Sequence, residues 1–144
     1  MAFAVVAVVV FIVDRVTKGL VVAYLPSGIE VQALPFVWIT NAHNSGAAFS
    51  IAPNATLFFL LASIAVAAGL IWYVARNSIS LAGAAMLGLV LGGTMGNGYD
   101  RLVHGTVTDF IALHFWPVFN VADAAITVGV VLLLVWYVLR RQRD

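Results

Sequence analysis

Three aspartates, Asp100, Asp109 and Asp123, fall between Gly92 and Ile126 in a chain that has six acidic residues in all. Charged residues make up only 9% of it, so carboxylates gathered in one short segment are candidates for chemistry rather than for solubility. Asp109 follows Val107-Thr108, a β-branched pair that reads as extended chain. Asp123 stands three residues after Asn120 at the start of a long apolar run. Asn120 therefore reads as a helix N-cap and Asp123 as the acidic residue facing the positive helix end. Two carboxyls brought together at a membrane interface cannot both ionise cheaply, so one is pushed up and the pair shares a proton. The ionised member can then draw a proton from water while the protonated member donates to a carbonyl oxygen or a leaving amine. That chemistry is peptide-bond hydrolysis with neither metal nor thiol. A capped helix or a wet loop would account for either residue alone; two in one segment favour the dyad.

The elements that must position these residues follow from composition. A chain of 144 residues, 63% hydrophobic with a mean hydropathy of +1.06, lies outside the soluble range and reads as a polytopic membrane protein. It has no cysteine, which excludes disulfides, thiol catalysis and thiolate metal sites. A formal charge of +1 without a basic patch argues against a nucleic-acid partner. Apolar runs at about residues 2–25, 56–75, 81–99 and 121–139 are each long enough to cross the hydrocarbon core. The fold class expected is an all-α membrane protein, a single domain of four spans with outer loops at about 26–55 and 100–120 and a small extracytoplasmic β-rich element built from the first of them. The first run reads as a retained span, since no basic segment precedes it and no small-residue cleavage site closes it. The stretch 26–55 holds prolines at 26, 35 and 53, the alternating Phe36-Val-Trp-Ile-Thr40, and no lysine or arginine. A loop free of basic residues belongs outside, and Arg140, Arg141 and Arg143 after Trp136-Tyr137 put the C-terminus inside.

Within the first span Asp14 and Lys18, four apart, share a helical face and form the natural buried pair, either structural or supporting a site. Asn44 reads on spacing as a turn residue and His43 as loop filler. The third span carries a ladder of small residues, Ala84, Gly88, Gly92 and Gly96, which lets a second helix backbone approach closely. Gly93 is either part of that packing or room for a lipid or peptide. Asp100 and Arg101, being adjacent, point to different helix faces and need separate partners. Arg101 could snorkel to the interface, hold a neighbouring carboxylate or bind a lipid phosphate or peptide carbonyl. His104, read as a loop residue, and His114, in a strand-like stretch, are poor candidates for metal ligands.

Five ordered segments carry a more specific signal: Asp14-Arg-Val-Thr-Lys18, Asn44-Ser-Gly-Ala-Ala-Phe49, Gly92-Gly-Thr-Met-Gly-Asn97 running into Tyr99-Asp-Arg101, Val107-Thr-Asp-Phe110 and Phe119-Asn-Val-Ala-Asp123. In that order they resemble the motif blocks of the bacterial lipoprotein signal peptidases, the signal peptidase II family. The resemblance implies an aspartic endopeptidase of the bacterial cytoplasmic (inner) membrane with Asp109 and Asp123 as its catalytic pair. It implies that Asp14, Lys18, Asn44, Gly93, Asn97, Asp100, Arg101 and Asn120 bind substrate or support the site, with Asn44 a candidate to bind substrate backbone. The implied substrate is a prolipoprotein already diacylglyceryl-modified on the cysteine after the scissile bond. Membrane lipids are further partners, no cofactor is needed, the enzyme is a monomer and its site faces the extracytoplasmic side. Gly98 departs from the pattern, standing where a bulkier residue is expected. Two rival readings remain. A small transporter or channel subunit would relay protons or ions through Asp14, Lys18, Asp100 and Arg101, and a non-catalytic assembly subunit would use the glycine ladder alone.

Overall fold

The computed structural model describes residues 1–46 and 55–141, in the order α1 (Ala2–Tyr24), β1 (Glu30–Leu34), β2 (Val37–Asn44), α2 (Thr56–Arg76), α3 (Leu81–His104), β3 (Val107–Ala112) and α4 (Val121–Arg141). Ala47, Ala48, Phe49, Pro53 and Arg143, which entered the sequence reading, lie outside the described residues.

Local chemistry sets the helix ends. Pro26 follows the extended Leu25 and stops α1. At the start of α3 the Ser80 side chain accepts from the Gly83 N–H at 3.2 Å, and at its end Gly105 takes φ 74, the left-handed cap that glycine adopts without strain. The chain is a membrane protein. Among the described residues α2, α3 and α4 are long and apolar enough to cross a membrane, while α1 matches them in length but carries Asp14, Arg15 and Lys18.

α3 is the central helix, and its small residues make it so. A side chain at Gly88 or Gly92 would meet the α1 backbone at Phe3 or Ala7, and one at Gly93 would meet the α4 backbone at Ala122. Gly129 of α4 returns the contact against Met86 and Val90. Two helices thus approach α3 on neighbouring faces at backbone distance. α2 packs on a third, where Ser63 lies against Gly98; a bulkier residue at 98 would push that helix off. The outer faces of α1, α2 and α4 present Val, Leu and Ile instead of polar groups.

At one end of the bundle sits a three-stranded antiparallel sheet in the order β1-β2-β3. It differs from the sequence expectation in two ways. Its third strand comes from the second outer segment, so the β-rich element is not built from the first loop alone. And α3 runs on to His104, so Asp100, Arg101 and His104 are helical and the second outer segment begins at Gly105 rather than at 100. The N–H and C=O of β3 account for the first difference. They pair with β2 on one side and are met on the other by Phe119, which bridges Ile111; the approach to the membrane leaves backbone groups that need such partners.

Candidate active site

Asp109 is placed by the β2–β3 register. It sits opposite Ala42, so Asn44, two residues on, lies on the same face and its Nδ2 donates to Asp109 Oδ2 at 3.1 Å. The Gly46 N–H donates to Asn44 Oδ1 at 2.9 Å, which holds that amide with its nitrogen toward the aspartate. Asn44 is thus the last residue of a strand and, through that bond, the first of the turn its spacing suggested, while His43 is a strand residue rather than loop filler.

Asp123 is placed by the helix start the sequence suggested. The Asp123 N–H donates to Asn120 Oδ1 at 2.9 Å and the Asn120 N–H donates back to Asp123 Oδ2 at 3.2 Å, a reciprocal cap. The same Asn120 reaches the other carboxylate, since its Nδ2 donates to Asp109 Oδ1 at 2.7 Å. One fully buried asparagine therefore bridges both aspartates. Both line a single cavity of about 390 Å³, with Asn97 and Arg101 of α3, Phe59 and Ser63 of α2, and Ile126 and Thr127 of α4. Burial, reinforced by the negative charge of Asp123, pushes the Asp109 carboxyl up to about 6.

Behind the aspartates lies a buried polar cluster. Lys18 Nζ meets Asp14 Oδ2 at 2.9 Å, Asp100 Oδ2 at 2.8 Å and Asn97 Oδ1 at 2.9 Å, which uses its three N–H groups. Arg15 joins through Nη1 to Asp100 Oδ1 at 2.6 Å and stacks over Tyr99. Two acids and two bases balance, the condition under which such charges stay buried. The cluster is tied to both segments that carry the aspartates. Asp100 Oδ2 accepts from the Thr108 N–H at 3.3 Å, and Asp14 Oδ1 accepts from the Ala122 N–H at 3.0 Å. The Asp14–Lys18 pair of the sequence reading is thus half of a four-charge group. Arg15 is the member that reading left out, although a third ionisable residue in one apolar helix was signal enough to include it.

Asp100 and Arg101 do take separate partners. Arg101 turns toward the cavity, where Nη2 donates to Gly46 O at 3.1 Å and the guanidinium lies 5.2 Å from the Phe59 ring centroid. Of the two readings of Gly93 the packing one holds: the space beside it is filled by the Ala122 backbone and Ile126, so it seats α4 on α3 and leaves no room for a lipid or peptide. His114 stacks on Trp38 and meets Glu30 at 3.0 Å, and His104 lies 3.6 Å from Asp100. Ser63 and Phe59 gave no sign in the sequence, because small or aromatic residues in an apolar span look the same whether they face lipid or a cavity.

This arrangement sets two carboxyls, each bonded to Asn120, in the wall of one largely apolar cavity. The chain is 38% identical over 136 residues to a lipoprotein signal peptidase of Syntrophomonas wolfei, an alignment covering 94% of this chain and 91% of the relative. It is 41% identical over 140 residues to one of Pseudoalteromonas atlantica, with 90% and 84% covered. Two solved bacterial membrane enzymes, each determined by the in meso method, superpose with TM-scores of 0.93 and 0.85 at 29% and 31% identity. The first covers 99% of this chain and 90% of its own, the second 94% and 91%. A family-wide profile described as signal peptidase (SPase) II matches residues 6–139, from the first helix to the last, and with that match the chain belongs to the signal peptidase II family.

Proposed function

We propose that this chain is an aspartic endopeptidase of the bacterial cytoplasmic membrane that removes signal peptides from prolipoproteins, cutting before a diacylglyceryl-modified cysteine. The observation that carries the catalytic type is the convergence of Asp109 and Asp123 on one cavity, with Asn120 hydrogen-bonded to both. Water bound between the carboxyls loses a proton to the ionised member and attacks the scissile carbonyl carbon. The protonated member donates to the carbonyl oxygen, and the tetrahedral species collapses as the cysteine nitrogen takes up a proton and leaves. Arg101, aimed at the rim, can hold a peptide carbonyl or a lipid phosphate.

The walls of the cavity support a lipid requirement. The cavity is lined by α2 on one side and α4 on the other, with Ala62, Val66 and Ile126 along it. A lipid-bearing cysteine held in the bilayer would present the neighbouring peptide bond at the depth of the aspartates, which replaces a search in three dimensions by a fixed near-attack position. In this reading α1 is the fourth span, its charges sequestered against α3, and both termini lie in the cytoplasm with the sheet and the aspartates outside. The enzyme acts as a monomer on its lipoprotein substrate and without a cofactor.

The direct test is in vitro cleavage of a diacylglyceryl-modified prolipoprotein. Asp109→Asn and Asp123→Asn should each lower turnover by roughly 10²–10⁴-fold while remaining folded. Near-parental turnover in either folded variant removes the dyad. A chelator should leave the rate unchanged; a loss restored by added metal redirects the chemistry to a metal-bound water.

A further inference from the structure

Hydrogen-bond polarity around the two aspartates distinguishes their roles. An ammonium can only donate. With Lys18 Nζ 2.9 Å from the Asn97 side chain, the reversed amide would press an N–H2 group against a buried cation. The Asn97 carbonyl must therefore face α1, and its N–H2 faces α4, where Nδ2 donates to Asp123 Oδ1 at 2.7 Å. The other oxygen of Asp123 accepts the Asn120 backbone N–H at the positive end of α4. Both oxygens of Asp123 thus receive donors that cannot turn round and accept. Asp109 also receives two amides held in orientation, Asn44 by the Gly46 N–H and Asn120 by the Asp123 N–H. It differs in that Asn120 Nδ2 is divided among Asp109 Oδ1, Asn97 Oδ1 and Thr108 O, and in that it stands in a strand away from any helix start.

We propose that Lys18 is a positioning residue for the aspartates: by fixing the Asn97 amide it reserves Asp123 as the ionised member that takes the proton from water, and leaves Asp109 to donate to the substrate. This rests on the dyad reading above. The charged groups facing Asp123 are Lys18 of α1 through Asn97, Arg101 of α3 and Asp109 of β3. Asp14 is turned to the Ala122 N–H and Asp100 to Lys18 and Arg15, while α2 contributes Phe59 and Ser63 to this cavity and no charge.

The experiment is the pH profile of kcat/KM on a diacylglyceryl-modified prolipoprotein for the parent, Asn97→Ala, the pair Asp14→Asn with Lys18→Met, and all three changes together. The paired change removes the lysine without leaving an uncompensated carboxylate, and an asparagine oxygen at 14 can still accept from Ala122. Asn97→Ala and the paired change should each move the acid limb to higher pH by about one unit, a tenfold loss on the acid side. The triple variant should move it no further, because both act through one hydrogen-bond chain. An unmoved limb, or shifts that add, overturns the role of Lys18. If the paired variant does not fold, Asn97→Ala decides alone: a parental acid limb overturns the proposal. Turnover surviving in Asp123→Asn would instead sink the dyad itself, so the two failures are told apart.

Discussion

Asp109 is 4% exposed, and its carboxyl is raised from 3.8 to about 6, so at pH 5 the folded chain holds a proton there that the unfolded chain has lost. Between those two values the native state binds more protons than the unfolded one, and stability must fall as pH rises. The full effect is about 3 kcal/mol. Thermal unfolding followed across that window should show the decline in the parent and a flatter profile in Asp109→Asn. If the aspartates act as the proposed dyad, their shared proton leaves over the same range, and kcat/KM of the parent should fall as pH rises through about 6. At this scale the sequence was informative about identity and silent about polarity. The reciprocal cap of Asn120 and Asp123 was legible because its two members are three residues apart. The bond from Asn44 to Asp109 spans 65 positions and depends on a strand register that no local pattern encodes.

Glycines separate two kinds of helix contact. A methyl group at Gly93 would strike the Ala122 carbonyl, one residue before Asp123, whereas one at Gly69 of α2 would meet nothing within 4 Å. Gly93→Ala should therefore cost about 1–3 kcal/mol and shift α4 with its aspartate, while Gly69→Ala should be neutral or slightly stabilising. Thermal melts in detergent together with cleavage rates check both. Each of the four apolar runs begins where a helix begins among the described residues, since a long apolar run has few alternatives to a helix. Val107-Thr108 read as extended chain, but the pairing of that strand escaped, because its partner β2 lies across a whole helical hairpin. The extra turn of α3 escaped because charged residues near an interface look like loop until their partners, here Arg15 and Lys18, are seen.

For the molecule as a whole, the absence of cysteine makes sidedness directly measurable. With the proposed topology, Gln32→Cys in β1 should be labelled by an impermeant maleimide added to intact cells or spheroplasts, and Ser78→Cys, between α2 and α3, only after the membrane is opened. The reverse pattern would turn the site to the cytoplasm. The bond from the Ala122 N–H to Asp14 joins residues 108 positions apart, and it links the first helix to the last. Under the proposed mechanism the aspartates are therefore assembled only once α1 and α4 have met, and a chain cut between β3 and α4, which lacks Asn120 and Asp123, should release no signal peptide however well its first three helices insert.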